Sequence, residues 1–294
     1  MASSPIPSTQ LRDGTSIPVV GYGTGTAWFK RGGDSSINRE LVESIKTAIK
    51  LGYYHLDGAE VYGTEAELGV AIKESGVPRE KLFVTTKVNQ NIADIPKAID
   101  ASLEKLQLSY VDLYLIHQPF FAKSPTDLQD AWAAMEKVKQ AGKARSIGVS
   151  NFLEDHLETI SQSAKIPPVI NQIEYHPYLQ HGSLVDYHEK NKIATSSYGP
   201  LTPATRAQGG PLDSLLTKLA EKYGVSEGEI LLRWSLDRGT VAITTSGKES
   251  RLTKYLEVLN FQLTPEEVNE ISRIGDQKHY RAFWGEKFAA DDRS

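Results

Sequence analysis

The chain has 294 residues, of which 39% are hydrophobic and 24% are charged, a balance typical of a globular protein with a large core. Its formal net charge of −4 argues against a nucleic-acid partner. Because it contains no cysteine, disulfides, thiolate zinc sites and cysteine nucleophiles are excluded. No apolar stretch approaches the length of a membrane span, and the first ten residues lack the apolar core of a signal peptide. We therefore expect a cytoplasmic protein without a membrane partner.

A β-branched run, a turn and an amphipathic helix follow one another repeatedly along the chain. The runs predicted as strands are Val19–Gly25, Tyr53–Asp57, Leu82–Lys87, Val111–His117, Ser146–Ser150, Val169–Glu174, Ile193–Tyr198 and Val241–Thr245. Apolar residues at three-to-four spacing predict helices between most of them, for example Arg39–Leu51, Glu65–Ser75, Ile95–Leu106, Leu128–Ala141 and Leu212–Tyr223. Gly52 and Gly142 are typical of helix ends.

This alternation predicts an α/β fold with a parallel sheet, since helical crossovers would cover the buried strands. Eight strand runs favour a closed barrel over a doubly wound sheet. The turn signal Leu11–Thr15 lies between two short extended runs, and a hairpin there could close the bottom of the barrel. With no linker in the sequence, we expect residues 1–294 to form a single (β/α)8 TIM barrel with an N-terminal β-hairpin at its bottom.

Four polar residues mark the ends of three successive strand runs. Asp57 closes the second run with Tyr62 just beyond it, Lys87 closes the third, and His117 closes the fourth. Each residue alone has an ordinary structural explanation, such as a cap, a solvated cation or a packed ring. Chemistry in such barrels occurs at the C-terminal ends of the strands, where neighbouring strands bring their side chains together. We therefore predict that these four residues are catalytic.

This group suits proton transfer to a carbonyl oxygen. A free tyrosine has a pKa near ~10, too high for an efficient acid at neutral pH, and a nearby ammonium lowers it. Asp57 would hold Lys87, and a neutral His117 could orient the substrate carbonyl. The missing component is a source of electrons, so the group implies a hydride donor.

Two alternatives remain open on these residues. In a barrel aldolase, Lys87 would form a Schiff base with a carbonyl substrate. In a regulatory subunit, the cofactor would bind without turnover. A metal site is not predicted, because the seven histidines form no His-x-His and no His-Glu-x-x-His motif.

Several motifs resemble the aldo-keto reductase family over essentially the whole chain. Asp57–Gly63 is similar to the family segment with the catalytic Asp and Tyr, and Lys87 and His117 fall at the next two catalytic positions. Gly148–Phe152 and Asn171–Pro177 match two specific family signatures. The resemblance implies reduction of carbonyl compounds to alcohols by hydride transfer from NADPH, with Tyr62 as the general acid.

The resemblance also implies a cofactor site across the barrel mouth. Ser150, Asn151 and Gln172 would bind the nicotinamide carboxamide, and Tyr198 would stack on its ring and expose one face. The further cofactor residues that it implies are Thr24, Asp57, Gly199 and Leu201.

The adenosine end departs from the family pattern. Family members that use NADPH often have Pro-Lys where this chain has Thr244-Thr245. Lys248 could replace the missing lysine, with Thr245, Ser246 and Arg251, because a 2′-phosphate needs cationic donors. Alternatively, Lys248 and Arg251 belong to a solvated helix start.

The expected substrate residues are Trp28, Tyr62 and His117. Gln118 stands where many members have Trp, and Tyr280–Trp284 resembles fungal conjugated polyketone reductases and α-keto amide reductases. This resemblance implies small-molecule substrates: aldehydes and activated ketones such as α-keto lactones, α-keto esters or α-keto amides. It is compatible with a monomer or a weak dimer.

Overall fold

Buried strands and amphipathic helices alternate in the computed structural model, which describes residues 5–30 and 36–294. Within these residues, eight parallel strands form a closed barrel in which each strand pairs with the next and the last pairs with the first. The barrel strands are β3 Val20–Gly23, β4 His55–Asp57, β5 Phe83–Val88, β6 Val111–Ile116, β7 Ala144–Ser150, β8 Ile170–Glu174, β9 Ala194–Tyr198 and β10 Val241–Thr244. The predicted (β/α)8 barrel is confirmed.

Helices surround this barrel. The described helices are α1 Arg39–Leu51, α2 Glu65–Ser75, α3 Ile95–Leu106, α4 Pro125–Gln140, α5 Glu154–Ser161, α6 Leu184–Lys190, α7 Thr202–Thr205, α8 Asp213–Tyr223, α9 Glu227–Asp237, α10 Glu249–Tyr255 and α11 Pro265–Gly275. Helices α1, α2 and α3 have the predicted bounds. Helix α4 begins three residues earlier than predicted, because Ser124 forms a capping box with Asp127. None of the described helices is long and apolar enough to cross a membrane.

The predicted hairpin consists of β1 Ser8–Gln10 and β2 Ser16–Pro18, which pair antiparallel. Leu11 and Ile17 are buried in one cluster with Phe83, Ile170 and Val241, the first residues of three barrel strands. Because strands begin at the bottom of the barrel, this contact places the hairpin there, as predicted. The opposite end of the barrel stays accessible for ligands.

Two insertions border that open end. Helices α7 and α8 precede α9 between β9 and β10, where an ordinary barrel has a single helix. After α11, the chain returns towards the mouth, where the Tyr280 N–H donates to the Tyr178 carbonyl at 3.1 Å. The segment 280–288 therefore faces the C-terminal ends of the strands.

Candidate active site

A buried ion pair lies at the base of the open end. Lys87, on β5, is fully buried, and its Nζ donates to Asp57 Oδ1 at 2.7 Å and to the Gly58 carbonyl at 2.9 Å. The Gln172 Nε2 donates to the other oxygen, Asp57 Oδ2, at 2.9 Å. Asp57 pairs with Thr85 across β4 and β5, so adjacent strands supply both charges. Each charge therefore has a fixed partner away from bulk water.

Tyr62 and His117 lie above this pair. Tyr62 ends a short 3-10 helix after β4, and its ring centroid lies 5.1 Å from Lys87 Nζ. The His117 ring meets the Tyr62 ring edge-on at 5.4 Å between centroids. The structure thus brings the four residues Asp57, Tyr62, Lys87 and His117 together, with the phenol and the imidazole above the ion pair.

Burial determines the protonation of His117. Loss of solvent holds the pKa of His117 well below its ordinary value, and the Lys87 ammonium lowers it further. Its Nδ1 is buried without a hydrogen-bond partner among the described residues. The imidazole is therefore neutral at physiological pH and can donate one hydrogen bond.

Burial and a neighbouring charged group act in opposite directions on the pKa of Tyr62 and on that of Lys87. Burial raises the pKa of Tyr62, and the lowering effect of Lys87 is smaller, so the net direction is opposite to the one the ammonium alone would produce. Burial alone would lower the pKa of Lys87, but Asp57 and Tyr62 together raise it. The phenol therefore keeps its proton, and Lys87 stays an ammonium.

Neutral polar groups form the adjacent wall. Ser150 Oγ donates to the Gln172 carbonyl at 2.7 Å, and Asn151 Nδ2 donates to Ser150 Oγ at 3.0 Å. The Tyr198 hydroxyl donates to Asn151 Oδ1 at 2.6 Å. Asn151 has a left-handed φ of 61°, a conformation that asparagine tolerates better than most residues. These bonds hold the predicted carboxamide-binding residues in one rigid array.

A cavity of about 480 Å³ spans this wall and the predicted catalytic group. The predicted site residues that line it are Asp57, Tyr62, His117, Ser150, Asn151, Gln172, Tyr198, Gly199, Leu201, Thr245 and Arg251. Arg251 is exposed, and none of the ion pairs within the described ranges involves it. A cation is thus available at the Thr245 end of the cavity.

Other predicted residues lie outside the cavity lining. Thr24 is buried and its Oγ1 donates to the Asp57 carbonyl at 3.1 Å, which supports the strand end. Ser246 is buried, and its Oγ accepts the Lys248 N–H at 3.1 Å, while the Lys248 side chain is exposed. Trp28 packs against Gly247 instead of lining the cavity.

Aromatic residues outside the predicted site also line the cavity. Phe29 lines the cavity next to Tyr62, whereas its neighbour Trp28 does not. Phe283 meets the Tyr198 ring edge-on at 5.3 Å, and Trp284 meets His117 at 6.2 Å. The sequence pattern that contains Phe283 and Trp284 supported the resemblance, but its location at the mouth follows only from the fold.

A buried carboxylate anchors this segment. Glu174, at the end of β8, is 2% exposed and accepts the backbone N–H groups of Ala282 at 2.8 Å and Phe283 at 3.0 Å. His176 Nε2 lies 3.0 Å from the same carboxylate. Trp284 then adopts a left-handed φ of 59°, which is rare for a bulky residue and typical of functional sites. Glu174 therefore holds the aromatic wall over His117.

In the part of the chain that the structure describes, no group of three or more histidine and acidic side chains is arranged to hold a metal ion. Beside the four predicted catalytic residues, the polar groups of the cavity are amides, hydroxyls and guanidinium groups. These groups suit an organic ligand with an amide and an anionic end.

Comparison with known proteins gives consistent results. A sequence model of the Aldo/keto reductase family matches residues 21–276. An NAD/NADP-dependent indole-3-acetaldehyde reductase of Schizosaccharomyces pombe is 42% identical, over 92% of this chain and 96% of that protein. An NADPH-dependent alpha-keto amide reductase of Saccharomyces cerevisiae is 36% identical, over 95% and 94% of the two chains. The crystal structure of a Bombyx mori aldo-keto reductase in complex with NADP superposes with a TM-score of 0.83 at 39% identity, covering 92% of this chain and 94% of that one.

Proposed function

The chain belongs to the aldo-keto reductase family, and on that premise we propose that it reduces aldehydes and activated ketones to alcohols with NADPH. The observation that carries the proposal is the meeting of Tyr62, His117 and the Lys87–Asp57 pair beside one cavity. The yeast alpha-keto amide reductase and the fission-yeast aldehyde reductase favour these substrate classes.

The cavity fits a nicotinamide dinucleotide at both ends. Near the catalytic group, Ser150, Asn151 and Gln172 are neutral and match a carboxamide, and Gln172 Oε1 has no hydrogen-bond partner among the described residues. At the other end, Arg251 offers a guanidinium for the 2′-phosphate that distinguishes NADPH from NADH. The bound reduced cofactor would supply the hydride.

The residues of the chain supply the rest of the chemistry. The neutral His117 donates a hydrogen bond to the substrate oxygen and orients the carbonyl. Tyr62 delivers its proton to that oxygen as negative charge develops. Lys87 favours the resulting phenolate electrostatically, and Asp57 keeps Lys87 charged and in place. Trp284 and Phe283 exclude water from the reacting centre.

Replacing Tyr62 with phenylalanine tests the proposal directly. We expect turnover to fall by about 10²–10⁴-fold, the usual contribution of a general acid. NADPH affinity, measured by fluorescence titration, should stay near that of the wild type, because the cofactor residues are retained. Wild-type oxidation rates of NADPH and NADH with aldehydes, simple ketones and α-dicarbonyls would establish the preferred cofactor. Near-normal turnover of Tyr62→Phe would refute the assignment.

The two alternatives have less support. A Schiff-base lysine needs a neutral amine, whereas Asp57 and Tyr62 raise the pKa of the fully buried Lys87. Borohydride trapping of a substrate on Lys87 would favour an aldolase. NADPH binding without turnover of any carbonyl in the panel would favour a regulatory subunit.

A further inference from the structure

A polar pair borders the catalytic histidine on the side away from the cofactor wall. Asn89 follows β5 and lines the cavity, whereas Gln118 follows His117 and lies outside the lining. The backbone N–H of His117 donates to the Val88 carbonyl at 2.9 Å, so Asn89 lies beside His117 at the end of the neighbouring strand. Asn89 also donates its backbone N–H to Glu60 Oε2 at 3.0 Å, which fixes its position.

A chain of hydrogen bonds determines which way the Asn89 carboxamide faces. The Phe120 backbone N–H can only donate, and it donates to Gln118 Oε1, so the Gln118 amide nitrogen must point the other way. That nitrogen, Nε2, donates to Asn89 Oδ1 at 2.9 Å. The Asn89 oxygen is therefore occupied, and its Nδ2 has no acceptor among the described residues. A backbone group thus orients Asn89 through Gln118.

We propose that Asn89 is a specificity-determining residue whose NH₂ group binds a second substrate oxygen next to the reacting carbonyl. The inference rests on the proposed function, since it needs the reacting carbonyl between Tyr62 and His117. Only substrates with an adjacent acceptor, such as α-keto esters, α-keto lactones and α-keto amides, satisfy this donor. A simple aldehyde leaves it without a partner. Asn89 thereby selects 1,2-dicarbonyl substrates.

Asn89→Asp separates this role from a structural one. Aspartate has nearly the same shape and still accepts the Gln118 bond, but it has no NH₂ group. The readout is the ratio of kcat/KM for methyl benzoylformate to kcat/KM for benzaldehyde, two probes that share the aryl carbonyl. We expect this ratio to fall by about tenfold, the value of one hydrogen bond. Any general effect of the new charge on His117 acts on both probes and cancels in the ratio.

Gln118→Glu tests the orientation of the Asn89 carboxamide through a change at a residue outside the cavity lining. A carboxylate accepts the Phe120 N–H but cannot donate to Asn89 Oδ1, so the Asn89 carboxamide should turn over and present its oxygen to the substrate. The same fall in the ratio is expected, although Gln118 does not line the cavity. Gln90→Glu is the matched control, because it adds a charge at the exposed neighbour of Asn89 without touching this chain of bonds.

The outcomes distinguish the role of Asn89 from the proposed function. If wild type reduces both probes and the ratio stays unchanged in Asn89→Asp and Gln118→Glu, the role of Asn89 is refuted and the proposed function stands. If Gln90→Glu lowers the ratio equally, charge alone explains the effect and the inference is also overturned. If wild type reduces neither probe with NADPH, the proposed function fails.

Discussion

Replacing Lys87 with methionine, a side chain of similar length, removes the ammonium and leaves the Asp57 carboxylate buried. The Asp57 side chain is 4% exposed and would retain only the Gln172 amide as a side-chain donor. Breaking one partner of a buried pair typically costs about 3–5 kcal/mol, because the remaining charge stays desolvated. Asp57→Asn should cost less, since the stranded Lys87 can lose its proton and keeps the Gly58 carbonyl at 2.9 Å.

The energetic coupling between Lys87 and Asp57 is measured by urea unfolding of four proteins. These are the wild type, both single variants and the double variant Lys87→Met/Asp57→Asn. The double variant carries no unpaired charge, so its loss of unfolding free energy should be smaller than the sum of the single losses by at least about 2 kcal/mol. Equal m-values across the four proteins would confirm that the comparison concerns native-state stability.

Additive losses, within about 0.5 kcal/mol, would refute the view that these charges act as one unit. Lys46→Met is the matched control, since Lys46 pairs on the surface with Glu43 at 3.0 Å and with Glu74 at 3.1 Å, where Glu43 is 59% exposed. Each exposed pair of this kind contributes less than about 1 kcal/mol, well below the loss expected for the buried pair. A comparable loss in the control would show that removal of any lysine, rather than burial, causes the effect.

Two further predictions concern the barrel mouth and acid stability. Glu174→Gln replaces one acceptor oxygen by a donor, so the backbone of Ala282 and Phe283 should lose at least one charge-assisted hydrogen bond. Their amide hydrogens should then exchange about 10-fold faster or more, as measured by mass spectrometry. Unchanged protection of these amides would contradict the anchoring role of Glu174. Burial lowers the pKa of His55 to about 4, whereas the same group in the unfolded chain has a pKa of ~6.5. The stability that the neutral His55 provides is therefore complete above pH ~6.5 and is lost as the pH falls towards about 4, because the unfolded chain binds the proton more readily. Urea unfolding at pH 7 and pH 4.5 should differ by about 2–3 kcal/mol for this histidine; a His55→Gln variant with the same pH dependence as wild type would oppose this assignment.

Local signals explain which parts of the fold were predictable. Helix α1 starts after Asn38, whose side chain accepts the Leu41 N–H, and ends at Gly52 with a φ of 100°. Both effects act within a few residues, so the sequence contains them. Apolar periodicity in α4 begins only at Leu128, so it predicts a later start than the Ser124 cap produces.

The two ends of the cavity show what local sequence signals cannot predict. Lys248 and Arg251 are both cationic and close in sequence, yet only Arg251 lines the cavity, since Lys248 precedes α10 and Arg251 lies on its first turn. Phe29 lines the cavity and Trp28 does not for a similar reason, because neighbouring side chains point in different directions. Pattern alone cannot assign such directions outside regular strands.

By itself, the sequence determined the alternation of eight strands with helices, and therefore the barrel and the strand ends at which Asp57, Lys87 and His117 meet. These features follow from periodicity and from the rule that parallel strands end at one rim. Only the tertiary structure decided that the Trp284 ring packs against His117 and that Gln118 occupies the carboxamide oxygen of Asn89. Those results depend on contacts between distant segments and on hydrogen-bond directions, which no local pattern of residues encodes.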